Sequence, residues 1–148
     1  MQKLTLGAYV QKRNGVPMSA PGSLRNNLSR AFGASSFAAF WRSWNPIFGY
    51  YLARFIFIPL KGWLPPSLAL ILTFALSGLL HDMVTMLVSR ELRLLFTPWF
   101  VLMACWLLLS EQLKLQYGAL PWWGRMSLNL LQIITTFVVV WPYRLGAG

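Results

Sequence analysis

The chain has 148 residues, of which 57% are hydrophobic and only 11% charged. A soluble domain carries about 25% charged residues, so the composition excludes an ordinary soluble globule and points to an integral membrane protein. The formal charge of +10 comes from 13 Lys+Arg against 3 Asp+Glu; these cations lie mostly before and between apolar runs, which fits anionic headgroups and the positive-inside rule and argues against nucleic acid as a partner.

Residues 1–36 form a basic, polar N-terminal segment with Lys3, Lys12, Arg13, Arg25 and Arg30 and no acid. "NGVPMSAPGS" is rich in turn formers and reads as a loop. "PGSLRNNLSRAF" fits a short amphipathic helix on the membrane surface, with Leu24, Leu28 and Phe32 on one face; a disordered tail is the alternative. No secretory leader is expected, since no apolar core occurs in this stretch.

Residues 37–148 form the expected membrane domain. Phe37–Leu60 is apolar but interrupted by Arg42, Asn45, Pro46 and Arg54. Its clean part, Ile47–Leu60, falls short of the roughly 20 residues a span needs and suggests a re-entrant, tilted or interrupted helix. Leu68–Val88 is long enough to cross and follows Pro65-Pro66, which suits a helix start. Trp99–Ser110, extended by "LLFTP", and Ser127–Trp141 make a third and a fourth segment. The sequence thus predicts an all-α protein with three to four transmembrane or re-entrant helices.

With four alternating segments, Lys3, Lys12, Arg13, Arg25, Arg30, Arg42, Arg90, Arg93 and Arg144 share one side, and Lys61, Lys114 and Arg125 the other. The positive-inside rule then places both termini in the cytoplasm, and a bacterial inner membrane suits the chain. Cys105, the one cysteine, reads as an apolar packing residue. One Cys and one His cannot build a zinc site, so no metal and no bound cofactor is expected.

The one histidine, His81, stands in "LTFALSGLLHDMV". Thr73, Ser77, His81, Thr85 and Ser89 recur every four residues and so share one helical stripe. Gly78 lies beside it and permits a close approach. His81 is about 20 Å along the helix from Leu68, inside the hydrocarbon zone, where an ionisable group is a functional candidate. Three roles fit: a packing hydrogen bond between helices, an axial ligand to haem or a chlorophyll-type pigment, or a general base in its neutral form. Asp82 points about 100° away around the helix and is expected to pair with an arginine such as Arg54.

"FWRSWN", "RFIFIPL" and "SGLLHD" occur in this order, with Asn45 and His81 separated by 36 positions. Together they resemble the signature of the membrane-bound O-acyltransferase family, from about Phe37 to Ser89. "WN" with "SGLLHD" is similar to the branch holding sterol, diacylglycerol and wax-ester acyltransferases. The resemblance implies acyl transfer from acyl-CoA, or a similar thioester, to a hydroxyl. His81 would be the general base and Asn45 would position a substrate or the developing oxyanion. Arg42, Trp44, Arg54, Ser77 and Asp82 would bind substrate or support the site. Enzymes of that family are several times longer, so the motifs correspond to a catalytic half: a compact enzyme, one subunit of a split enzyme, or a non-catalytic structural subunit of a larger membrane complex that contacts pigment or lipid. Membrane lipids and a protein partner or oligomer are the partners expected.

Overall fold

The computed structural model describes residues 4–143 and the backbone of residues 145 and 146. In chain order it contains α1 (Leu6–Asn14), α2 (Ser23–Phe32), α3 (Phe37–Ser43), α4 (Pro46–Leu52), a π-helical turn (Ala53–Phe57), α5 (Ile58–Lys61), α6 (Pro66–Ser89), β1 (Arg93–Leu94), α7 (Phe96–Gln112), α8 (Trp122–Val140), a 3-10 turn (Trp141–Tyr143) and β2 (Leu145–Gly146). The fold is all-α apart from the short antiparallel pairing of β1 with β2.

Local chemistry sets the boundaries. Thr5 caps α1 by accepting from Ala8 N, and Gly15 ends it at φ 82. Ser36 caps α3 by accepting from Ala39 N, and so marks the boundary between the basic segment and the apolar remainder. Pro66 stands in the first turn of α6, where its missing N–H is no loss. The turn-forming stretch "NGVPMSAPGS" connects α1 to α2. α2 is helical over the residues of the expected surface helix, but its stripe divides: Leu24 is 72% exposed and Leu28 is exposed too, whereas Phe32 packs against Phe40 and Trp44, and Asn27 and Ala31 are the buried residues.

Two helices are long and apolar enough to cross a membrane: α6, with 24 residues, and Trp122–Tyr143, with 22. α7 has 17 residues, about 25 Å at 1.5 Å per residue, against a hydrocarbon core of about 30 Å. It runs antiparallel to α6. Its first turn meets Asp82, in the second half of α6, and Leu107 and Glu111 near its far end share a cavity with Leu70, near the start of α6. α8 begins where α7 ends. Trp122 Nε1 donates to Ser29 O at 3.0 Å, and Tyr117 N donates to Ser35 O at 2.9 Å, so α2 lies at that end too. The pairing of β1 with β2 places the end of α8 beside the α6–α7 connection.

The segment between α2 and α6 does not run the full length of α6 in one direction. α4, the π turn and α5 run antiparallel to α6: Phe48 meets His81 with ring centroids 6.0 Å apart, and Lys61 leads by a short link into Pro66. The chain therefore enters beside α2 and returns to the same end. The cations are therefore arranged along the bundle differently from the pattern expected of four alternating segments. Lys61, Lys114 and Arg125 share an end of the bundle with Arg25 and Arg30, while Arg90 and Arg93 lie at the other, and α2 and β2 lie at opposite ends. The physical reason is the break at Trp44–Asn45, which leaves no run in this segment long enough to span. Lys3 and Arg144, part of the same expectation, lie outside the described residues.

The core forms where the re-entrant segment meets α7 and α8. Phe37 and Ala38 pack with Met103 and Leu107, and Ala31, Ala34 and Phe40 form a second cluster. Asn129 is 0% exposed; its Nδ2 donates to Phe32 O and Ala34 O, and its Oδ1 accepts from Tyr117 Oη. These bonds fasten the entry of the segment to α8 and satisfy carbonyls that would otherwise be orphaned. α1 packs on α4 and α2 on α3.

Candidate functional site

A cavity of about 450 Å³ lies between α3, α4 and the first two-thirds of α6. His81, Ser77 and Thr73 line it from α6, Asn45, Trp44 and Arg42 from the α3–α4 junction, and Phe100 from α7. The rest of the wall is largely aromatic and aliphatic. The upper half of the polar stripe thus faces the cavity, while Thr85 and Ser89 below it are exposed. Thr85 Oγ1 turns back to the carbonyls of His81 and Asp82, so its hydroxyl needs no partner from outside.

His81 is held from three directions. Its Nδ1 lies 2.7 Å from Ser77 O. A carbonyl only accepts, so Nδ1 carries the proton and donates, leaving Nε2 with a free lone pair. The ring packs against Phe96 and Phe100, with centroids 5.5 and 5.2 Å away, and against Phe48 edge-on. An imidazole fixed in this tautomer can take a proton at Nε2.

Asp82 does not pair with Arg54. It is 0% exposed and accepts from Leu95 N at 2.9 Å, Phe96 N at 2.8 Å, Thr97 N at 2.7 Å and Thr97 Oγ1 at 2.6 Å. The first N–H groups of a helix have no intrahelical acceptor and carry partial positive charge. A carboxylate from the neighbouring helix meets both needs at the start of α7, better than a distant guanidinium could. Gly78 makes the approach possible: a Cβ there would lie 2.6 Å from Phe96 O and 2.7 Å from Thr97 Cα. Asp82 thereby sets the position of Phe96 and Phe100 against the His81 ring.

Asn45 shares the cavity with His81 and adopts φ 40, ψ 69, a left-handed conformation that Asn tolerates better than most residues. Its Oδ1 accepts from Phe48 N at 3.2 Å and caps α4. Trp44 stacks on Phe40 at 5.5 Å. Arg42 donates to Ala38 O and forms an exposed pair with Glu111 at 3.7 Å. Arg54 lies apart from the cavity. It donates to Tyr50 Oη and sits over the Tyr50 and Phe55 rings of its own helical stretch, so it does not reach a neighbouring helix as the expected pair with Asp82 requires. The aromatic holders of the imidazole were missed from sequence. Phe96 and Phe100, four apart in "FTPWF", were the available signal. Among the described residues no group of His, Cys, Asp and Glu could hold a metal ion.

A protein-family model for the membrane-bound O-acyltransferase family matches residues 18–140. The chain belongs to that family. The match runs from the α1–α2 connection to the end of α8, covers every element that lines the cavity except α1, which contributes Tyr9, and supports a membrane-bound protein of O-acyltransferase type. Comparison with curated proteins and with solved structures gives no match. In this family member, His81 and Asn45 open onto the same cavity.

Proposed function

We propose that the protein transfers an acyl group from acyl-CoA, or a similar thioester, to a hydroxyl acceptor in the cavity between α4 and α6. The observation that carries this reading is the joint placement of Asn45 and of His81, with Nε2 free, on one largely apolar wall. His81 Nε2 takes the proton of the acceptor hydroxyl as its oxygen attacks the thioester carbonyl. Asn45 Nδ2, free because Oδ1 serves the helix cap, donates to the oxyanion. Collapse of the tetrahedral intermediate expels the thiolate, which recovers the proton from the imidazolium. No acyl-enzyme forms. His81 is exposed on one side, so lipid or a partner chain closes the cavity and keeps water from the thioester. The positive-inside rule puts the end carrying Arg25, Arg30, Lys61, Lys114 and Arg125 in the cytoplasm.

The test incubates the purified protein, with any co-purifying partner, with labelled acyl-CoAs and membrane lipid. His81→Ala should lower transfer by about 10²–10⁴-fold. An unchanged rate in that variant overturns the mechanism. If the wild-type protein consumes no thioester under any condition, the non-catalytic subunit reading replaces it.

A further inference from the structure

A second cavity, of about 420 Å³, lies behind the Trp44–Asn45 break, between the end of α1, α2 and the start of α4. Asn14 lines it and is only 2% exposed. Its Nδ2 donates to Ser23 O at 3.0 Å and to Ser23 Oγ at 2.6 Å, but its Oδ1 accepts from nothing. A buried acceptor left unpaired beside an open cavity is a place where a donor is missing. The outer wall is apolar and open: Met18, Leu24, Leu28 and Ile47 all line the cavity and are all exposed. The helices that frame it carry Lys12, Arg13, Arg25 and Arg30, and the sequence has no carboxylate before Asp82.

We propose that this cavity binds a glycerophospholipid whose headgroup is anionic and bears a hydroxyl. The hydroxyl donates to Asn14 Oδ1, the phosphate lies in the field of the α1 and α2 cations, and the acyl chains cover Leu24, Leu28 and Ile47. Each part of the ligand answers one observation: an unmade acceptor, an uncompensated charge, an uncovered apolar rim. The site does not depend on the acyl-transfer reading. Trp44 and Asn45 line both cavities, so the lipid backs the junction that carries Asn45 into the other one.

The test uses the full chain in detergent micelles and native mass spectrometry with phosphatidylglycerol, phosphatidylmethanol and phosphatidylcholine. The first two carry the same charge and differ in the headgroup hydroxyls; the third is neutral overall. Phosphatidylglycerol should be retained over phosphatidylmethanol by about tenfold, the ratio given by one hydrogen bond of ordinary strength, and phosphatidylcholine least. Asn14→Leu should abolish the discrimination between the two anionic lipids while keeping both above phosphatidylcholine. Leu28→Trp, which fills the cavity from its exposed rim, should release all three and leave thermal stability unchanged. It decides the matter if Asn14→Leu does not fold. Free glycerol phosphate should not compete. Equal retention of the three lipids by the wild-type protein, unaltered discrimination in the variants, or competition by glycerol phosphate at the potency of the lipid would each overturn the proposal.

Discussion

Asp82 offers the sharpest test of how the site is held. Asp82→Ala removes four hydrogen bonds from the first turn of α7. The three backbone N–H groups belong to half-buried residues, so each loses the lower end of the penalty for an unmet donor, about 1 kcal/mol, and the sum is about 3 kcal/mol. Asp82→Asn keeps one acceptor oxygen for Leu95 and Phe96 but turns an amide donor towards Thr97 N. It should cost about 1–2 kcal/mol, one lost bond and the lost charge. Reversible unfolding in mixed micelles, followed by tryptophan fluorescence from Trp99 and Trp106 on α7, measures both. Acyl transfer should fall in the same order, because Phe96 and Phe100 shift with the helix start and the imidazole is no longer held. Equal stability of all three proteins, or an Asn variant as damaged as the Ala variant, would refute the account of Asp82 as the acceptor for α7.

Four further outcomes follow. Gly78→Ala drives a Cβ into backbone atoms of Phe96 and Thr97; it should destabilise the α6–α7 pair by about 1–3 kcal/mol in the same unfolding assay. Asn45→Gly tolerates φ 40 and should retain the fold while losing transfer by about 10²–10³-fold, whereas Asn45→Ala loses about 1 kcal/mol of stability as well. In a variant with Cys105 replaced by Ala, single cysteines at Ser19 and Gly118 should be labelled by an impermeant reagent from the same side, and one at Glu91 from the other; Ser19 and Gly118 labelling from opposite sides would contradict the re-entrant path. Burial holds the Tyr117 phenol above its ordinary 10.0, against a smaller opposing effect of the Gln132 hydrogen bond. Above pH 10 the unfolded chain releases this proton and the folded one keeps it, so stability should fall as pH rises further; Tyr117→Phe should flatten that slope in alkaline unfolding curves.

The sequence made some of these features legible and hid others for identifiable reasons. α6 and His81 stood out because a long apolar run with one polar stripe fits a membrane helix with one face turned towards protein or a cavity. α7 and α8 were visible as apolar runs: α7 starts at Phe96, within the "LLFTP" extension, where the acceptor comes from another helix, and α8 starts at Trp122, ahead of the expected Ser127 and straight after Pro121. α1 was missed because its inward face joins a short apolar run, Leu6, Tyr9 and Val10, to the polar Arg13 and Asn14; its boundaries rest on Thr5 and Gly15. The return of residues 37–61 to their starting end could not be read from alternation, since counting assumes that each apolar run crosses. Asn45-Pro46 was the usable clue, a cap followed by a first-turn proline. Asp82 was misread because a carboxylate in an apolar run invites a search for a cation, and its partners are backbone amides that no charge count contains.

The contact between Asp82 and α7 also constrains how the chain is made. A carboxylate at the centre of a lone helix costs about 2.5–3.5 kcal/mol on insertion, and Asp82 acquires its donors only after Leu95, Phe96 and Thr97 have been synthesised. α6 ending at Ser89 is therefore a poorer membrane segment than its length suggests, and it becomes a good one only when α7 emerges beside it. Insertion of the two helices as a hairpin is then the favoured route, and a chain cut after Ser89 and extended by a polar spacer long enough to clear the ribosome should insert α6 less efficiently than the same chain with Asp82→Leu.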